Sequence, residues 1–142
     1  MAKKFTFEFQ DILDFRNFER EQAEAELAKA IAVETEIKNN LQNIAGQFVA
    51  LKQSMDSMTN FEDLAAGSTH KKFLEYQKEE LLKQLAEANI VTEQKRAVLA
   101  EIMKKTTALE ELKEDEKAEY QKALDYEENE FVDDLATGRY KK

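Results

Sequence analysis

The sequence predicts an all-α fold, an extended antiparallel two-helix coiled-coil hairpin whose second helix is longer than the first. Three observations carry that expectation. The 142 residues include no Pro and only three Gly, so the main helix breaker is missing. Charged residues make up 36% of the chain, yet apolar residues recur at helical spacing, a combination typical of coiled coils rather than of a globule with a thick core. Finally, the apolar repeat is interrupted at one place, near Gly67, which divides the chain into two long segments.

The first helix is expected over about residues 8–58. Leu27, Ala30, Glu34, Ile37, Leu41, Ile44, Phe48, Leu51, Met55 and Met58 succeed one another at steps of 3 and 4, the mark of a coiled-coil seam. Carried back, the same register passes through Ala23, Arg20, Arg16, Leu13 and Phe9, so the seam turns polar towards the N-terminus.

The tip is expected over about residues 59–68. Thr59 and Glu62 fit a capping box, Gly67 suits a helix end, and Ser68 or Thr69 can cap the second helix.

The second helix is expected over about residues 69–137 and ends at Gly138, with residues 139–142 as a frayed tail. One seam column holds Leu74, Leu81, Ala88, Lys95, Ile102 and Leu109; the other holds Lys78, Leu85, Thr92, Leu99 and Thr106. After Leu112 the register is expected to slip, leaving Tyr120, Leu124, Phe131 and Leu135 as the apolar positions. At 1.5 Å per residue the helices should measure about 75 Å and about 100 Å.

A tip at 59–68 sets Met55 opposite Leu74, which places Phe48 with Leu81, Ile44 with Leu85 and Leu27 with Ile102. The acidic Glu34 then faces the basic Lys95. Two readings of this pair stand: it fixes the register, or both side chains reach out to solvent. The same register leaves the second helix overhanging the first by about 12 residues, or about 18 Å, from Tyr126 onward. Phe131, Val132 and Leu135 would lie there without an intramolecular partner, marking either an interaction site or a self-association surface. Arg16 and Arg20 occupy seam positions that apolar residues would fill better. They are either interface anchors or internal partners of Glu116 or a neighbouring acid.

The residues argue against catalysis and point to a protein that works by contacting other proteins. His70 is the only histidine and there is no cysteine, so metal sites built on several such ligands and thiolate chemistry have no material. The three glycines stand far apart and form no phosphate loop. Glu110, Glu111, Glu114, Asp115, Glu116 and Glu119 read as a solvated helix face. No cofactor or metal is expected. A net charge of −9 with no basic stripe speaks against nucleic acid, and no apolar run approaches the ~20 residues needed to span a bilayer. Met1-Ala2-Lys3-Lys4 leads into no signal-peptide apolar region, so a cytoplasmic protein is expected.

Both ends of the chain resemble the FliJ family of flagellar export proteins. Residues 5–16, FTFEFQDILDFR, alternate aromatic or apolar residues and then set Leu13 and Arg16 one helical turn apart. Residues 131–140, FVDDLATGRY, resemble the family's Asp-Glu-apolar-Ala ending with an Arg after it; Asp134 stands where Glu is usual, and Phe9 where Leu is often found. The resemblance implies a monomeric or weakly dimeric central stalk of the hexameric export ATPase, lying beside the membrane-bound flagellar export apparatus. It also implies contacts with the export gate membrane protein and escort of export chaperones. Carried over residue by residue, the ATPase contact would include Leu13, Arg16, Arg20, Phe131, Asp134 and Leu135. The gate contact would include Phe73, although Gln77 and Glu80 depart from the pattern there. An injectisome stalk protein and a prefoldin-like holdase are the alternatives, the latter requiring strands for assembly.

Overall fold

The computed structural model describes residues 4–138. Two helices, α1 (Gln10–Asp56) and α2 (Phe61–Thr137), pack against each other as a hairpin, with 47 residues in the first and 77 in the second. Among the described residues no strand forms. The expected tail at 139–142 lies outside them. The chain divides into two compact units, Gln22–Leu99 around the tip and Met1–Glu21 with Ala100–Lys142 at the terminal end.

In the tip unit the turn is four residues long, 57–60, and α2 begins eight residues earlier than the sequence suggested. Asn60 rather than Thr59 is the cap. Its Oδ1 accepts from the Glu62 amide at 2.8 Å, and its carbonyl accepts from the Leu64 amide at 3.1 Å. Gly67 does not end a helix. It is buried inside α2, and a Cβ there would stand 3.0 Å from both Cγ and Sδ of Met55. Glycine therefore makes room for the methionine across the hairpin. Thr69 caps nothing either, because its hydroxyl donates to the Ala65 carbonyl at 3.1 Å within the same helix.

The shorter turn changes the register. Met55 meets Gly67, not Leu74, a difference of seven residues. Farther along the same unit, Lys95 Nζ lies 4.0 Å from Glu26 Oε2. The 29 residues back from Met55 to Glu26 match the 28 forward from Gly67 to Lys95, so the helices run in step. The expected Glu34–Lys95 pair is thereby corrected: this register sets Glu34 level with Ala88, and Lys95 is engaged one heptad away.

The seams themselves keep closely to the heptads. Ala23, Ala30, Ile37 and Ile44 are buried, with Leu27, Glu34, Leu41, Phe48, Leu51 and Met55 half-buried between them. On α2, Leu74 is fully enclosed and Ala88 and Thr92 are buried; Gln77 takes the inward place expected of Lys78. Thr92 stays satisfied by donating to the Ala88 carbonyl at 3.0 Å. In the terminal unit Thr106 does the same with Ile102 at 2.9 Å. The expected slip after Leu112 comes later: Leu109, Lys113, Glu116 and Tyr120 stay half-buried in heptad steps, and the register shifts at Leu124, four residues after Tyr120 where the heptad gives three. Gly138 closes α2 as expected, with φ of 78° and its amide donating to the Leu135 carbonyl at 3.3 Å.

Candidate protein-docking surfaces

The terminal unit is built around an aromatic arm. Phe5, Phe7 and Phe9 alternate along non-helical backbone, where side chains two apart share a face. Phe7 is buried, and its ring meets that of Phe9 edge-on at 5.9 Å. Phe5 lies against Tyr120, with ring centroids 5.5 Å apart. The Phe7 carbonyl then accepts from the Gln10 amide at 3.1 Å and the Phe9 carbonyl from Leu13 at 2.9 Å, which starts α1. Asp11 in the first turn complements the helix dipole.

Past Tyr120, α2 continues to Thr137, a further run of about 17 residues or about 25 Å. Phe131, Val132 and Leu135 are each about half exposed on it (50%, 55% and 53%), and Asp134 is half-buried. Tyr126 is exposed and donates to Glu130 Oε1 at 2.8 Å. That hydrogen bond, and then the carboxylate's charge, raise the phenol pKa above the ordinary tyrosine value.

The chain's matches decide what this arrangement belongs to. The family model described as the flagellar FliJ protein matches residues 5–142, nearly the whole chain. The chain belongs to the FliJ family. Searches of curated proteins and of solved structures return no significant match. As a FliJ-family member it is a component of flagellar type III protein export. No described helix is long and apolar enough to cross a membrane. Among the described residues, no group of three His, Cys, Asp or Glu side chains is arranged to hold a metal ion.

The residues expected at the ATPase contact fall into two sets within the terminal unit of this FliJ-family chain. Leu13 is buried in the seam at 4% exposure, where it packs within the hairpin. Arg16 is half-buried and pairs within its own helix, 2.6 Å from Glu19 Oε1, with its guanidinium 5.9 Å from the centre of the Phe15 ring. Arg20 is half-buried. Phe131, Asp134 and Leu135 lie on α2 at least 11 residues beyond Tyr120, or more than about 16 Å along the helix. Sequence reasoning missed Ile12, Phe15 and Phe18, which point away from the seam with exposures of 46%, 56% and 56%. Their signal was present as three large apolar residues at steps of three, each adjacent to or between seam positions.

Phe73 belongs to the tip unit. It is 55% exposed and its ring stacks on His70 at 6.5 Å. With Tyr76 and Gln77 of α2 and Asn40, Ile44 and Gln47 of α1 it lines a shallow groove between the helices.

Proposed function

We propose that this FliJ-family chain is the central stalk of the flagellar export ATPase, with its terminal end engaging the hexamer and the groove at Phe73 meeting the export gate. Escort of export chaperones belongs to the same proposal. The observation that supports the ATPase contact best is the length of α2 beyond the Phe5–Tyr120 contact, which carries half-exposed Phe131, Val132 and Leu135. Apolar side chains grouped on a projecting helix favour burial against a partner. A single asymmetric hairpin inserted among six identical subunits makes them inequivalent, because each meets a different face. Its differential contacts then bias their nucleotide states.

The experiment is a titration of the export ATPase of the same organism with this chain and with a Phe131→Ala, Leu135→Ala variant. Stimulation by the native chain, with about tenfold more variant needed for the same effect, is the expected outcome. No stimulation and no co-elution would remove the ATPase as partner. For the gate, Phe73→Ala should weaken binding to the gate protein and leave the ATPase response unchanged.

A further inference from the structure

We infer that the thioether of Met55 is a modification site in the hairpin tip. A peroxide oxidises it to the sulfoxide, and the oxidised side chain leaves the gap at Gly67 and loosens the start of α2. The inference concerns the tip unit alone and does not depend on the stalk proposal.

Three observations carry the inference. First, the sulfur is part of the joint between the helices. A Cβ at Gly67 would stand 3.0 Å from both Cγ and Sδ of Met55 and 3.3 Å from Cε, so the whole end of the side chain lies along the gap. A Cβ at Gly46, by contrast, meets nothing within 4 Å. Residues 61–66 are all exposed, so Gly67 is the first buried position of α2 and Met55 is what covers it. Second, the side chain is within reach of a small oxidant. Met55 is half-buried and borders an open groove with Phe48, Leu51, Lys52 and Lys71. Third, no thiol competes. The chain has no cysteine, so its sulfur oxidation falls to four methionines. Of the others, Met103 is exposed in the terminal unit, and Met58 lies in the turn, where its amide donates to the Met55 carbonyl at 3.1 Å.

The step is an oxygen-atom transfer. A sulfur lone pair attacks one peroxide oxygen, the O–O bond breaks, and the other oxygen leaves as water or an alcohol once it has taken up a proton. Sulfur gives up two electrons and the peroxide gains them. A sulfoxide reductase reverses the step with two thiols, which become a disulfide while the oxygen departs as water. Sulfur in the sulfoxide is pyramidal, so the new oxygen stands out of the C–S–C plane and thickens a side chain that lies against the Gly67 backbone. The oxygen is also a strong acceptor. The amides of α2 are bonded within the helix, whereas Lys52 and Lys71 on the groove bring ammonium donors. The oxidised side chain therefore turns to the groove and leaves a cavity over Gly67, which releases the first turns of α2.

The test treats the full chain with hydrogen peroxide. Each methionine is followed by peptide mass mapping, the backbone by amide exchange, and unfolding by circular dichroism. Expected is a gain of one oxygen atom at Met55, about tenfold faster exchange over 65–74, unchanged exchange over 109–120 and a lower melting temperature. Methionine sulfoxide reductase with a thiol should restore each of them. Met58→Leu with Met103→Leu should respond as the native chain does, whereas Met55→Leu should keep its exchange over 65–74 after peroxide. Met55→Gln, a polar side chain of similar length, should show the faster exchange without any peroxide. Met55 left unmodified under conditions that convert Met103 would overturn the inference. An oxidised Met55 with native exchange over 65–74 would overturn it as well, a result that needs no variant to fold. So would a loss in Met55→Leu equal to that of the native chain, which would assign the effect to Met58.

Discussion

Single residues in the terminal unit do work that seam patterning does not describe. Phe7 is the buried anchor of the non-helical arm, and it packs where α1 has not yet begun. Phe7→Ala should destabilise this end by about 3 kcal/mol, the lower range for deleting a buried ring. Hydrogen exchange would show faster amides over 10–20 with no change near Ile44. Tyr126 offers a pH readout. Its phenol is raised by Glu130, so the folded chain holds that proton more tightly than the unfolded one. The contact's contribution is therefore whole below the ordinary tyrosine range and is lost as pH rises through the folded value. Glu130→Gln should return the Tyr126 titration, monitored by ultraviolet difference absorbance, towards the ordinary value. Leu13 and Arg16 show what a motif leaves open. A motif can mark a residue as important without saying whether it faces a neighbouring helix or a partner. Leu13 is buried in the seam, while Arg16 pairs with Glu19 on its own helix and stays about a third exposed.

At the scale of the helices, the register hangs on the four-residue turn and on the fit of Met55 to Gly67. Gly67→Leu should lower the melting temperature, because the added side chain meets Met55 at once. Combining it with Met55→Ala should recover part of the loss, and the double-mutant cycle would measure that coupling. The Glu26–Lys95 pair is different in kind. Both side chains are well exposed, 50% and 38%, so Lys95→Ala should cost less than about 1 kcal/mol in thermal or urea unfolding. The two helices and their inward columns were legible in the sequence because burial repeats with the heptad. The partners across the seam were not. A slide of seven residues leaves every column in phase, so the pattern from Ala23 to Met55 fits either register equally well. What separates them is the turn, and there Gly67 misleads: a glycine after an alanine pair reads as a helix stop, whereas here it is a gap for a methionine. The expected slip beyond Leu112 comes only at Leu124. Before it, the charged Lys113 and Glu116 keep the seam, their long side chains lying half-buried along the groove.

Taken over the whole chain, charge and length complement each other. The net charge of −9 includes acid-rich surroundings at both candidate docking surfaces of the terminal unit, Asp11 and Asp14 on α1 and Glu130, Asp133 and Asp134 on α2. A partner with positive charge complements that unit, and its association rate should fall as ionic strength shortens the Debye length. The candidate contacts were partly legible. The projecting apolar end of α2 could be read from unequal segment lengths, while the aromatic face of α1 could not, because it lies outside the seam columns.

The tight turn carries one more implication, for how such a hairpin can change size. With only residues 57–60 between the helices, there is no slack to absorb a length change on one side. Removing 34–40 alone would force every layer on the terminal side to re-pair with a neighbour seven residues away. Removing 34–40 together with 82–88, which lie level in this register, would excise one block and leave the remaining layers matched. Proteins built this way grow and shrink in paired heptads, like a zip fastener that can lose teeth only two at a time.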